Sequence, residues 1–209
     1  VMQVLTDAET LRKYAVDNNN LLTTVIPNTY SFYWNTPPGK ILDKLYAEKV
    51  KFWNEERQAK AKALNLTPGQ VYTLASIVEE ETNKQDDKGK IASVYLNRIE
   101  KGMKLQADPT VKFALKDFAL TRIMYGHLNN QSPYNTYQHE GLPPGPICTP
   151  SIKTIDAVLD APQTNFIFFV AKPDFNGYSN FASSYAEHLV FAKAYQQALD
   201  SLIKAKANK

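Results

Sequence analysis

The sequence predicts an α+β fold in which helices dominate and a small β-hairpin supplies the sheet. Three observations carry this. Apolar residues recur at three- and four-residue spacing through much of the chain. Helix starts of the capping-box type stand at Thr6-Asp7-Ala8-Glu9, at Thr67-Pro68-Gly69-Gln70 and at Ser184 with Glu187 three residues on. One short apolar run, Phe166 to Ala171, is followed by the turn residues Asp174-Phe175-Asn176-Gly177, the pattern of a buried strand and its return.

The elements follow in order. The first helix carries Leu11, Tyr14 and Ala15 and fades at Asp17-Asn18-Asn19-Asn20, with a short segment at Leu21 to Ile26 after it. The stretch from Pro27 through Trp34 is aromatic, and Pro37-Pro38-Gly39 closes it as a turn. One long helix is predicted over 40–64, with Ile41, Leu45, Phe52 and Trp53 on its apolar positions. Thr67 caps the next helix, with Pro68 at its first position, and the spacing carries it to Thr82. Asn83 to Gly89 reads as a break, and a helix follows over 90–101 with Gly102 as its C-cap. Residues 103–150 are loop-rich, with helical potential at Pro109 to Leu115 and Thr121 to Tyr125. Gly141-Leu142-Pro143-Pro144-Gly145-Pro146 is stiff and poor in amide donors. Thr149-Pro150 starts a short helix with Ile152, Ile155 and Leu159 on one face. Strands are expected over 165–172 and 178–181, and a last helix over 184–205.

Composition narrows the function. The chain has 209 residues, 44% hydrophobic and 22% charged, which is ordinary for a folded globular chain. The longest apolar run is six residues, against about 20 for a membrane-spanning helix. No signal peptide is visible, and a chain opening on Val1 reads as a piece of a longer protein. Lys and Arg number 24 against 21 Asp and Glu, too balanced for a nucleic-acid binder. The lone Cys148 excludes an internal disulfide and a CxxC metal site, and His127, His139 and His188 lack close ligand spacing, so neither metal nor cofactor is expected.

One residue departs from its surroundings. On the helix from Thr67, Leu74, Ile77 and Val78 form an i, i+3, i+4 stripe, and the next member is Glu81, about 20° from Leu74 around the axis. Glu79 and Glu80 point elsewhere and read as solvent-side charges. A carboxyl on an apolar face loses hydration, its pKa rises, and it can hold a proton for a leaving-group oxygen. The plainer alternative is a helix end where the stripe has already met water. Downstream, Leu105-Gln106-Ala107-Asp108-Pro109-Thr110 and Tyr134-Asn135-Thr136-Tyr137 mix aromatic faces with hydrogen-bonding groups, as sugar sites do. Taken singly, each also has a structural reading: the tyrosines as core or turn residues, Asp108-Pro109 as a helix start.

Ala75-Ser76-Ile77-Val78-Glu79-Glu80-Glu81-Thr82, Val94-Tyr95-Leu96-Asn97-Arg98, Gly102 to Thr110, Tyr134-Asn135-Thr136-Tyr137 and Gly141 to Ile147 occur in that order. Together they resemble the endolytic murein transglycosylases, the MltG or YceG-like family, over roughly Ile26 to Leu199. The resemblance implies a helix-rich YceG-like catalytic domain with a small sheet and an open glycan cleft. It places an N-terminal helical part at 1–66, packing on a catalytic core at 67–209, the two forming one continuous domain. It implies cleavage between N-acetylmuramic acid and N-acetylglucosamine in nascent peptidoglycan strands, leaving a 1,6-anhydro end and terminating elongation beside the synthases (penicillin-binding proteins). It also implies a catalytic domain outside the cytoplasm, held by an N-terminal membrane helix and preceded by a LysM-like region, neither of which is in this sequence. The family's catalytic Glu, directly before Thr, maps to Glu81. Gln106, Asp108, Tyr134, Asn135 and Tyr137 are the candidates for the substrate-binding shell.

Two departures stand out. Glu80 occupies a position that is often basic, and a like charge there would raise the pKa of Glu81 if the two are close. Asn28 stands where the family usually has Asp. A muramidase hydrolase using Asp108 as second carboxylate, and a non-catalytic peptidoglycan-binding scaffold, are the rival readings. The expected geometry has Glu81 at its helix end in an open cleft. The loops of Gln106 and Tyr134 would form its walls and Pro143-Pro144 would stiffen one side. Tyr30, Tyr33 and Trp34 are available to distant sugars, with core packing expected for at least two of them.

Overall fold

The computed structural model describes residues 7–207. The elements are α1 (Ala8–Lys13), a 3-10 turn (Leu21–Thr24), α2 (Pro38–Phe52), α3 (Glu55–Ala63), α4 (Pro68–Glu81), α5 (Gln85–Glu100) and α6 (Asp108–Leu115). A second 3-10 turn (Tyr125–Asn129), α7 (Ile152–Leu159), β1 (Phe168–Ala171), β2 (Ser179–Ala182) and α8 (Tyr185–Ala207) complete them. The predicted α+β class holds. Thr6, part of the first predicted capping box, lies outside the described residues.

The hub is α4. Thr67 accepts from the Gln70 amide while the Gln70 side chain accepts from the Thr67 amide, so the predicted capping box starts the helix. Every residue from Val71 to Val78 is buried. The helix is therefore surrounded rather than striped, packed by α3, α5, α6, α7 and the first 3-10 turn. The main core runs from Ile26 through Trp53, Tyr72, Ile77, Ile91, Tyr95 and Leu105 to Ile155 and Leu159. A smaller cluster of Leu11, Tyr14, Val16 and Leu42 holds the N-terminal part together.

Several boundaries differ from the sequence expectation: α2 already begins at Pro38, inside the predicted turn, and α7 is capped by Ser151, one residue past Thr149-Pro150. The long helix is two, because the Asn54 side chain accepts from the Arg57 amide and caps a fresh start. The break turns Trp53 into the core, 5% exposed. Residues 85–89 continue α5 instead of breaking it. A Cβ on Gly89 would stand 3.3 Å from Pro162 and 3.6 Å from the Ala157 carbonyl, so this glycine permits close approach to α7 and its following loop. Thr121 to Met124 are not helical; a 3-10 turn begins at Tyr125. The strand is shorter than predicted, since Asn97 takes the Thr164 and Phe166 carbonyls at 2.8 and 2.9 Å before pairing begins. The hairpin is antiparallel, with Phe169 opposite Phe181, and Asp87 of α5 accepts from the Ser179 amide at 2.7 Å.

Tyr33 and Trp34 are fully or nearly fully exposed, against the expectation of core packing, and only Tyr30 is half-buried, its hydroxyl donating to the Ile26 carbonyl. Asn28 accepts from its neighbour Thr29 and takes no ionic role. The proline-rich segment is fixed from both sides. The Ile147 amide donates to Ser76 Oγ at 3.0 Å, and Gly145 lies so close to the Asn19 carbonyl that a Cβ there would overlap it. Among the described residues, no helix is long and apolar enough to cross a membrane.

Candidate active site

Glu81 is the last residue of α4, and so emerges from the buried hub with only part of its surface accessible. The phenol of Tyr95, buried on α5, donates to Glu81 Oε1 at 2.6 Å. Burial raises the Glu81 pKa to about 7. The Tyr95 hydrogen bond pulls it down, Asp108 pushes it up, and Arg98 and Lys112 pull it down. Desolvation wins because the opposing contacts are one neutral donor and two cations whose pull Asp108 offsets in part. The like charge acting on Glu81 is thus Asp108. Glu80 instead reaches the Cys148 thiol, whose pKa burial and that carboxylate push up to about 12.

Arg98, one turn beyond Tyr95, fixes two neighbours at once. Its Nη1 donates to the Leu105 carbonyl at 2.5 Å and its Nε to the Ile167 carbonyl at 2.8 Å, while the guanidinium lies over Phe168. The 105–107 loop and the hairpin are therefore held to the helix that carries Tyr95. Gln106 is exposed and sits in the left-handed region at φ +53°, a conformation that a residue with a Cβ adopts at some strain. Its amide donates to the Thr136 carbonyl at 3.1 Å, and the Ala107 amide to Thr136 Oγ1 at 3.0 Å.

Asp108 opens α6 and accepts from the Tyr137 hydroxyl at 2.6 Å. Asn135 is buried. Its amide donates to the Leu128 and Asn130 carbonyls at 2.9 and 2.7 Å, and its oxygen accepts from the Tyr137 amide at 3.0 Å. Tyr134 packs on Phe113 with ring centroids 4.6 Å apart, and its hydroxyl lies 3.5 Å from the Asn19 carbonyl. The structure thus brings Glu81, Asp108 and Tyr137 into one electrostatic group, with Gln106 on the adjoining loop. Asn135 and Tyr134 are engaged with their own surroundings.

Two pockets meet at Glu80. One, of about 430 Å³ and open to solvent, is lined by Glu81, Thr82, Asn83, Lys84 and the hairpin turn at Gly177. The other, of about 210 Å³, is lined by Pro109, Lys112, Phe113, Phe118, Ile147 and Cys148. Glu81 does stand at its helix end in an open pocket. Gln106 and Tyr134 line neither pocket: Tyr134 is turned onto Phe113 and toward Asn19, and the walls come from α6, the hairpin turn and the end of the proline-rich segment. A third pocket, of about 490 Å³, lies on the far end of α5 near Asn97 and includes none of these groups.

Sequence reasoning missed three contributors. Tyr95 carried a usable signal, since a buried phenol needs a hydrogen-bond partner. Arg98 and Lys112 carried none beyond their charge. Glu79 is also not a solvent charge: it accepts from Lys88 at 2.9 Å, from Ser151 at 3.1 Å and from Thr154. Burial pushes its pKa up, but the hydrogen bonds from Thr154 and Lys88 hold it below the usual value.

The YceG-like family matches residues 1–194 of this chain. An endolytic murein transglycosylase of Bacillus subtilis (strain 168) is 36% identical over 169 residues, covering 78% of this chain and 45% of that protein. An endolytic murein transglycosylase of Streptococcus pneumoniae serotype 2 is 31% identical over 151 residues, covering 70% of this chain and 27% of that protein. The chain therefore spans less than half the length of these curated relatives. A crystal structure of a YceG-like protein from Listeria monocytogenes superposes with a TM-score of 0.77 at 26% identity, covering 90% of this chain and 65% of that one.

Proposed function

The chain belongs to the YceG-like family, and from that premise we propose that it is the strand-cutting part of an endolytic murein transglycosylase. The observation that supports this most is the Glu81 carboxyl, in an open pocket with its pKa near 7. At neutral pH such a group is present as both acid and base, and the reaction uses both forms.

In the first step, neutral Glu81 gives its proton to the glycosidic oxygen between N-acetylmuramic acid and N-acetylglucosamine as that bond to C1 breaks. In the second, the Glu81 carboxylate takes the proton from the muramic C6 hydroxyl while that oxygen bonds to C1. The 1,6-anhydro ring closes, the carboxyl is restored and no water is consumed. Nucleophile and electrophile belong to one sugar, so their proximity is built into the substrate. Tyr95 holds the carboxyl in place. Asp108 and Tyr137, with Gln106, are assigned to substrate binding and to stabilising the cationic sugar; Asn135 and Tyr134 we assign to positioning that loop. The substrate is placed outside the cytoplasm, at the membrane face where synthases deliver new strands.

Mass analysis of products from uncross-linked glycan strands tests the chemistry. Ends one water lighter than a reducing muramic end are expected; reducing ends would replace this reading with hydrolysis. The pH profile tests the acid. With a pKa near 7, kcat/KM falls on the alkaline side as Glu81 loses its proton. Asp108→Asn removes a like charge, so that limb shifts to lower pH. Tyr95→Phe removes a donor to the carboxylate, so it shifts to higher pH. Displacements of a few tenths to about one pH unit, opposite in sign, are expected.

A further inference from the structure

We propose that the smaller pocket, beside Glu80 and walled by Lys112, Phe113 and Phe118, receives the lactyl-linked peptide of the muramic residue being cut. This rests on the transglycosylase reading and adds a recognition element to it.

Placement comes first. The pocket shares Glu80 with the one that holds Glu81, so a muramic ring at Glu81 has the smaller pocket at its side. The lactyl group branches from the ring sideways, off the run of the glycan chain. A substituent there needs a side pocket, not a longer groove. About 210 Å³ takes a short peptide segment and is too small for a run of sugars.

Charge comes second. The Lys112 ammonium forms no salt bridge or hydrogen bond among the described residues, although it is partly buried on α6. Glu80 also takes part in no salt bridge among them. A cation without a salt bridge and an anion that reaches only the neutral Cys148 thiol, on one small pocket, have nothing to recognise in uncharged sugar rings. The peptide of a nascent strand offers both signs: free carboxylates for Lys112 and the amine of its diamino acid for Glu80.

The apolar wall comes third. Phe118 is 69% exposed and sits edge-on to Phe113 at 6.2 Å. An exposed aromatic that closes the pocket suits the methyl groups of the alanines in such a peptide.

The test compares kcat/KM on uncross-linked strands carrying their peptides with the same strands after an amidase has removed them. Wild type is expected to prefer the peptide-bearing strand. Lys112→Met and Phe118→Ala are expected to reduce that preference by about tenfold or more for the charge and severalfold for the ring. The ratio cancels any change in Glu81 acidity, which acts on both substrates alike. Parallel losses on both substrates, or no change in the ratio, would overturn the proposal. A second arm needs no catalysis: titration of a muramyl tripeptide, followed by amide NMR shifts at Lys112 and Phe118. Saturable shifts in wild type that weaken in Lys112→Met support the site, and no shifts overturn it. Strands left uncut by wild type, with peptide binding intact, would sink the transglycosylase reading alone.

Discussion

Glu81→Gln is expected to lower strand cleavage by at least about 10²–10⁴-fold while leaving the fold intact and, above neutral pH, more stable. The amide cannot give the glycosidic oxygen a proton or take one from the C6 hydroxyl, so both steps fail. It can still accept from Tyr95, so the local geometry survives. The stability effect follows from the same burial. The carboxyl has a pKa near 7 when folded and about 4.5 when exposed. Between those values the folded chain keeps a proton that the unfolded chain releases, so rising pH erodes stability across that window. Above pH 7 the whole penalty is present, about 3 kcal/mol. Thermal melts at pH 8 should show the variant above wild type, with the gap nearly closed at pH 4. An inactive variant that is less stable at pH 8 would show instead that the carboxylate holds the structure together.

Lys88→Met is the largest expected loss of stability. The Lys88 side chain is 7% exposed and joins Glu79 at 2.9 Å with Thr154 at 2.6 Å, tying the end of α4 to α5 and α7. Methionine replaces the stem but leaves the Glu79 carboxylate without its cation in a site that has given up most of its water. Removing one partner of such a pair costs on the order of 3 kcal/mol, or about 6–12 °C in Tm for a chain this size. The folded-state pKa of Glu79 lies below its ordinary value. Its contribution is therefore present above pH 4.5 and disappears as the pH falls through the folded value. The deficit in Tm should shrink accordingly in acid, and a deficit independent of pH would assign the loss to packing alone.

Much of the helical order was legible because its signals are local. Thr67 and Gln70 lie three residues apart, as a cap requires, and Gly102, at φ +64°, supplies the left-handed residue just past the Lys101 C-cap of α5, one position beyond the predicted cap. The position of Glu81 on its helix was legible for the same reason. What surrounds Glu81 was not. Tyr95 sits fourteen residues away on the next helix and Asp108 on the one after, and no spacing rule relates positions on separate helices. Gly89 shows the opposite failure. Its local meaning is a helix breaker, and its tertiary use, letting α5 approach α7, overrides that meaning. Glu79 read as a solvent-side charge because two of its partners, Ser151 and Thr154, come more than seventy residues later and the third, Lys88, lies on the next helix.

The contact between Asn19 and Gly145 bears on how the protein can be trimmed. Residues 19–26 do more than lead into the chain: Asn19 lies against the proline-rich segment, Val25 accepts from Tyr72 at 2.7 Å, and Ile26 is in the main core. A minimal fragment cut at Thr67 would strip that strap away and unseat Ile147 and Cys148 at the rim of the smaller pocket. The shortest piece that keeps its working shape has to begin before Asn19.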